Sequence, residues 1–331
     1  MNLQERIDIL VRLGEYLAEN NEEWKAVKQN AFLRNNWFTT AFIDIAVNNI
    51  NNSFLQKENL QKWIYHYRLD DNINKKNIGI VMAGNIPLVG FHDFLCVFIS
   101  GHIQTIKLSA KDDLLIKHLI EKMYDWNVKV KNYILFAELL KGCDAYIATG
   151  SNNSARYFEQ YFSKYPNIIR HNRTSVAILN GKETEQDLIN LSDDVHLYFG
   201  LGCRNVTKIY VPDNYDFVPL VNAFKRYNYL SDHNKYTNNY DYQLSLALLN
   251  NIYYMSSGST LLIESEIIFS PVSRLNYEFY TNTASVFEDI KNNKDIQCVV
   301  GMYGVPLGAA QKPGLFDYAD GIDVMEFLLT L

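Results

Sequence analysis

The sequence predicts an α/β protein: two α/β lobes with mostly parallel open sheets, preceded by an N-terminal helical segment. Three observations predict it. From Asn77 onward, short and almost wholly apolar runs alternate with stretches of helical period, as expected for strands covered on both faces. After Gly202-Cys203 the alternation restarts, as a second lobe requires. Before Asn77 only helical spacing occurs, at Ile7, Leu10, Leu13 and Leu17.

Residues 1–70 read as helices that form a packing layer or an oligomer surface, with no chemical motif. In the first lobe Ile78–Ala83 is the first strand. Pro87 suits the first turn of a helix continued by Phe91, Phe94, Leu95, Phe98 and Ile99. Ile103–Leu108 is the next strand, and Asp112 and Asp113 cap a helix striped by Leu115, His118, Leu119 and Met123. A strand at Ala145–Thr149, a helix at Ser154–Phe162 and strands near Ile168 and at Val176–Leu179 follow, before Thr184 opens another helix. The second lobe reads as strand 206–211, helices between about 216 and 255, strands 259–264 and 273–280, helix 284–292 and strand 296–300. The expected division is 1–199, helices plus a nucleotide-binding α/β domain; 200–310, a catalytic α/β domain carrying Cys203; and 311–331, a tail packing on the body or a partner subunit.

Composition narrows the function. Over 331 residues the net charge is −6, and no local Lys/Arg cluster offers a nucleic-acid footprint. An anionic ligand must therefore be held by backbone N–H groups and single cations. No apolar run reaches the length of a membrane span, and the N-terminus opens an amphipathic pattern instead of a signal peptide, so a cytoplasmic protein is expected. The four cysteines lie far apart, without zinc or redox spacing, and Asp320-Gly321-Ile322-Asp323 lacks an EF-hand ligand pattern; no metal is expected.

Chemistry concentrates where strands end. Asn85, just after the first strand, can donate its amide hydrogen to an oxyanion, although an asparagine there also serves as a turn or cap. Lys107 and Ser109, at the end of the next strand, can reach a ribose or a phosphate; a solvated strand-end lysine is the plainer alternative. Gly150 and Ser151 form a strand–glycine–helix junction that lets a pyrophosphate approach backbone N–H groups, without the full G-x-G-x-x-G fingerprint; a Gly-Ser turn that only caps the helix is the alternative. Cys203, between a Gly-Leu-Gly hinge and a strand, at the expected lobe boundary, is the candidate nucleophile, with Arg204 or backbone N–H groups available to favour its thiolate; a buried structural cysteine is the equal alternative. His171, between two strands of the first lobe, is a candidate acid or base, or a structural histidine.

In chain order, Gly84-Asn85-Ile86-Pro87-Leu88, Lys107-Leu108-Ser109, Thr149-Gly150-Ser151 and Gly202-Cys203 resemble the aldehyde dehydrogenase superfamily. The resemblance implies an aldehyde-dehydrogenase-like fold and an oxyanion asparagine at Asn85. It also implies a ribose contact at Lys107, a pyrophosphate site at Gly150-Ser151, a nucleophile at Cys203 and a homo-oligomer. Phe269-Ser270-Pro271-Val272 is similar to the superfamily's Phe-Gly-Pro-Val segment, which makes Glu266 the nearest match to its ribose-binding glutamate. Arg173-Thr174-Ser175-Val176-Ala177, Gly202–Lys208 and Gly314–Asp320 resemble more closely the fatty acyl-CoA reductase family typified by the reductase of bacterial luminescence.

One departure separates reduction from oxidation. Dehydrogenases of the superfamily activate the hydrolytic water with a glutamate in a Glu-Leu-Gly-Gly-Lys segment, where this chain has Ile169–Ser175 and no carboxylate. The resemblance thus implies an NAD(P)H-dependent reductase, with NADPH or NADH as cofactor, that converts an acyl-CoA or acyl-carrier thioester to an aldehyde. The alternatives are an NAD(P)-dependent aldehyde dehydrogenase and a non-catalytic nucleotide- or partner-binding subunit.

Overall fold

A computed structural model describes all 331 residues. The chain forms two compact units, residues 1–172 with 313–331, and residues 173–312.

The first unit opens with four helices: α1 (Leu3–Glu19), α2 (Glu22–Arg34), α3 (Thr40–Phe54) and α4 (Lys57–Tyr67). Asn2 caps α1 in a reciprocal box with Glu5. The Ile7, Leu10, Leu13 and Leu17 stripe is buried as its period requires.

The α/β part then runs β1 (Asn77–Val81), α5 (Phe91–Ser100), β2 (Ile103–Lys107), α6 (Leu114–Trp126), β3 (Ile134–Phe136), β4 (Ala145–Thr149), α7 (Asn152–Phe162) and β5 (Asn167–Arg170). The five strands form one parallel sheet in the order β3-β2-β1-β4-β5. Helix α5 is apolar around most of its surface because it lies inside the unit. The buried Arg6 of α1 donates from Nε to the Ile99 carbonyl of α5 at 3.2 Å.

The second unit runs β6 (Thr174–Ile178), α8 (Glu185–His196), β7 (Val206–Pro212), α9 (Phe217–Phe224), α10 (Asn234–Leu249), β8 (Met255–Ser256), β9 (Leu261–Glu264), β10 (Arg274–Tyr280), α11 (Thr283–Ile290) and β11 (Ile296–Gly301). Its sheet has the order β11-β6-β7-β10-β9-β8, parallel except for β8. Thr184 caps α8 in a box with Asp187, as the sequence predicts. Residues 313–331 then return to the first unit, where α12 (Val324–Leu329) packs on α5. Trp63 Nε1 donates to the Tyr318 hydroxyl at 3.0 Å.

The two α/β units with mostly parallel sheets and the leading helices match the fold class read from sequence. The boundaries do not. Expected at 199/200 and 310/311, they fall at 172/173 and 312/313. The cause is β6, assigned by sequence to the first lobe: Val176 pairs with Lys208 of β7 and Val299 of β11, so β6 belongs to the second sheet. The helix expected from Pro87 starts only at Phe91, because residues 87–90 form a turn with Leu88 in the left-handed region (φ 57°). Two short strands, β3 and β8, carry too few residues to show a period.

Candidate functional site

In the first unit, four segments leave the sheet at one edge, the carboxyl ends of its parallel strands. The loop 82–90 follows β1, Lys107–Ser109 follow β2, Gly150-Ser151 follow β4 and His171 follows β5. The strand order reverses direction between β1 and β4, which makes this edge the topological switch point where open α/β sheets take ligands.

The loop after β1 is tied to the end of β2. A Cβ on Gly84 would stand 2.5 Å from Ser109 Oγ and 3.2 Å from the Asp112 nitrogen, so only glycine fits there. The Leu88 N–H donates to the Asp112 carboxyl at 2.7 Å, which holds the left-handed turn in place. Asp112 is buried, and burial pushes its carboxyl up to about 7. Asn85 is exposed on the same loop, Lys107 is exposed at the last position of β2, and Ser109 is half-buried.

At the end of β4, a Cβ on Gly150 would come within 2.9 Å of Ser154 Cβ and 3.0 Å of Phe158 Cε2. Ser151 is the N-cap of α7, its Oγ accepting from the Ser154 N–H at 3.3 Å. Gly150 is thus packed closely against α7, and Ser151 caps the start of an eleven-residue helix whose N-terminal N–H groups and dipole suit a phosphate or pyrophosphate.

Beneath this edge lies a buried ion pair that the sequence reading missed. Arg170 of β5 grips Asp93 of α5 with both terminal nitrogens, and one of them also lies 3.5 Å from Thr149 Oγ1. Burial alone would depress the guanidinium; the Asp93 carboxylate more than reverses this. The available signal was a lone aspartate in the otherwise apolar run of α5, which requires a cation.

His171 follows the last strand of the first unit instead of lying between two of its strands, which corrects the sequence reading. Its Nε2 is 3.3 Å from Glu159 Oε1 of α7, and both side chains are about half exposed.

In the second unit, Gly202–Asn205 form a turn closed by the Asn205 N–H donating to the Gly202 carbonyl at 3.1 Å. Cys203 holds its second position and is half-buried. The Asn205 side chain accepts from the Gly202 N–H at 2.8 Å. Its amide nitrogen lies 3.1, 3.3 and 2.9 Å from the carbonyls of Asp194, Val195 and Leu197 at the end of α8. Ser175 Oγ donates to the Cys203 carbonyl at 3.1 Å and lies 3.1 Å from Cys298 Sγ.

Beside this turn is a small cavity of about 20 Å³ bordered by His196, Phe199, Gly200, Thr260 and Arg274. His196 donates from Nδ1 to the Ser192 carbonyl at 2.7 Å and accepts at Nε2 from Thr260 Oγ1 at 2.9 Å. Burial pushes this imidazole down to about 4, so it is neutral. Nothing in the sequence around His196 marked it.

Glu266 is exposed on the loop after β9. Its backbone carbonyl accepts from the buried Lys208 Nζ at 2.7 Å, and Lys208 also pairs with Glu278. No group of three His, Cys, Asp or Glu side chains is placed to hold a metal ion, and no helix is long and apolar enough to cross a membrane.

No protein-family model matches the chain, and no curated protein matches it in sequence. Solved structures do match in fold. Aldehyde dehydrogenase 21 from Physcomitrella patens, in complex with its product succinate, aligns over 91% of this chain and 74% of its own, with TM-score 0.65 and 11% identity. An NADP complex of glyceraldehyde-3-phosphate dehydrogenase from Methanocaldococcus jannaschii aligns over 90% and 75%, with TM-score 0.64 and 12% identity. An indole-3-acetaldehyde dehydrogenase with NAD+ aligns over 90% and 71%, with TM-score 0.65 and 12% identity. The fold is aldehyde-dehydrogenase-like.

Proposed function

We propose that this chain is a nicotinamide-dependent oxidoreductase of the aldehyde dehydrogenase superfamily that reduces an acyl-CoA or acyl-carrier thioester to an aldehyde. The observation that carries the proposal is the turn at Gly202–Asn205, whose backbone is tied down on every side while the Cys203 side chain is half-buried. The fold likeness to enzymes solved with NAD+ or NADP supports the cofactor class.

In this reading the Cys203 thiolate attacks the thioester carbonyl and expels the thiol, leaving an acyl-cysteine. Asn85 and the Cys203 N–H are assigned to the oxyanion. Gly150 and Ser151 suit the pyrophosphate of NADPH or NADH, since they lead into the N-terminus of α7, where helix N–H groups and the dipole favour an anion. Lys107, Ser109 and Glu266 are assigned to the rest of the dinucleotide. When bound, the reduced nicotinamide supplies hydride to the acyl carbon. His171 is assigned to proton transfer.

Ile169–Ser175 holds no carboxylate to activate water, which favours reduction over hydrolysis. The activities named for the neighbouring structures favour a second reading, oxidation of an aldehyde. Assembly as a homo-oligomer and a cytoplasmic location complete the proposal.

The test is incubation with acyl-CoA of several chain lengths, without cofactor, followed by intact mass. We expect a gain of one acyl group, absent in Cys203→Ala and discharged by NADPH or NADH. No adduct with any thioester, together with reduction of NAD+ or NADP+ on adding an aldehyde, would replace reduction by oxidation.

A further inference from the structure

We infer that Asn205 is the positioning residue that sets the attack geometry of Cys203. The inference rests on the nucleophile reading above and concerns the second unit alone.

Asn205 is 0% exposed, and all of its polar groups are engaged. Its N–H closes the turn onto the Gly202 carbonyl, and its own carbonyl accepts from the Ser175 N–H at 3.1 Å and the Thr174 hydroxyl at 3.2 Å. Its side-chain oxygen takes the Gly202 N–H, and its NH2 shares two hydrogens among three carbonyls at the end of α8. A helix end leaves such carbonyls without intrahelical donors, so the cap satisfies groups that burial would otherwise penalise. One side chain therefore joins the residue before Cys203, the end of α8 and, through its backbone, the start of β6.

The chemistry requires an amide. A carboxylate of the same shape could still accept from Gly202, but it would set negative charge against three carbonyl oxygens. Alanine would leave the Gly202 N–H and the α8 carbonyls buried without this partner. Either change lets the turn relax, and a misplacement of about 1 Å at a reacting group costs about 10²-fold in rate. Asn205 does not touch the thioester itself, so the loss falls on the maximal rate and not on half-saturation.

The test follows acylation of Cys203 by acyl-CoA under single turnover in N205D and N205A, with Val211→Ala as a destabilised control. Val211 is a buried core residue at the far end of β7. We expect N205D and N205A to lose about 10²-fold in maximal rate with half-saturation within about threefold, and V211A to keep the wild-type rate. If the wild type acylates and both Asn205 variants match it within about threefold, the inference fails while the nucleophile reading stands.

If the wild type takes no acyl group, the nucleophile reading fails, and alkylation of Cys203 by iodoacetamide decides the inference alone. A shifted pH profile or a tenfold change in rate in N205D then supports the inference, and identity with wild type overturns it. Should neither variant fold, hydrogen exchange of the wild type decides: a Gly202 amide protected as well as Ile209 supports the inference, and exchange at the free-peptide rate overturns it.

Discussion

Asp93 and Arg170 are each 5% exposed, and their pairing ties α5 to the end of β5 beneath the candidate dinucleotide edge. Replacing Asp93 by Asn removes the carboxylate while leaving a guanidinium that cannot shed its proton and has lost its counter-charge. Breaking one side of a buried pair costs about 3–5 kcal/mol. For a unit of this size each kcal/mol lowers the midpoint by about 2–4 °C, so a fall of roughly 6–20 °C is expected. All four tryptophans, Trp24, Trp37, Trp63 and Trp126, lie in the first unit. Tryptophan fluorescence during thermal unfolding therefore reports on that unit selectively. The double variant Asp93→Leu with Arg170→Met, which removes both charges, should recover most of the loss, because hydrophobic replacement of a buried pair is often neutral or better. A cost below about 1 kcal/mol in Asp93→Asn would place the pair with exposed bridges and refute the reasoning. Additive losses in the double variant would do the same.

Two further outcomes follow from the same edge. Gly150→Ala puts a methyl 2.9 Å from Ser154 Cβ and displaces the start of α7; NADPH or NADH binding, followed by nicotinamide fluorescence, should weaken about tenfold or more, with a smaller effect on melting. Burial raises the Asp112 carboxyl to about 7 from an unfolded value near 4, so its contribution to stability is fullest when protonated and is lost as pH rises from about 4 through 7. Asp112→Asn should flatten that part of the wild-type stability curve in urea titrations across this range, and parallel curves would show that Asp112 does not titrate there.

The strands were legible where burial on both faces left an uninterrupted apolar run: Ala145–Thr149 is found as predicted. What an apolar run does not encode is which neighbour the strand will pair with. Val176–Leu179 was readable as a strand, yet its partners are Lys208 on β7 and Val299 on β11, both distant in sequence. The same limit hid the turn at Leu88. Pro87 signals a helix start locally, but the left-handed Leu88 is held by Asp112, twenty-four residues on. At the candidate site, Asn85, Lys107, Ser109, Gly150 and Ser151 could be placed at one edge because parallel strands end together. The Asp93–Arg170 pair, the neutral His196 and the cap formed by Asn205 were not legible, because each is defined by its partners across the fold.

The return of residues 313–331 to the first unit makes the second unit an insertion, with one chain passing out at 172/173 and back at 312/313. Leu315, Tyr318, Val324, Met325 and Leu328 are buried in the first unit's core, and they leave the ribosome after every residue of the second. The usual order of synthesis, in which the N-terminal domain folds first, is therefore inverted for completion. Until that closing segment emerges, α5 lacks the apolar cover of α12 and the nascent first unit keeps an unfinished seam.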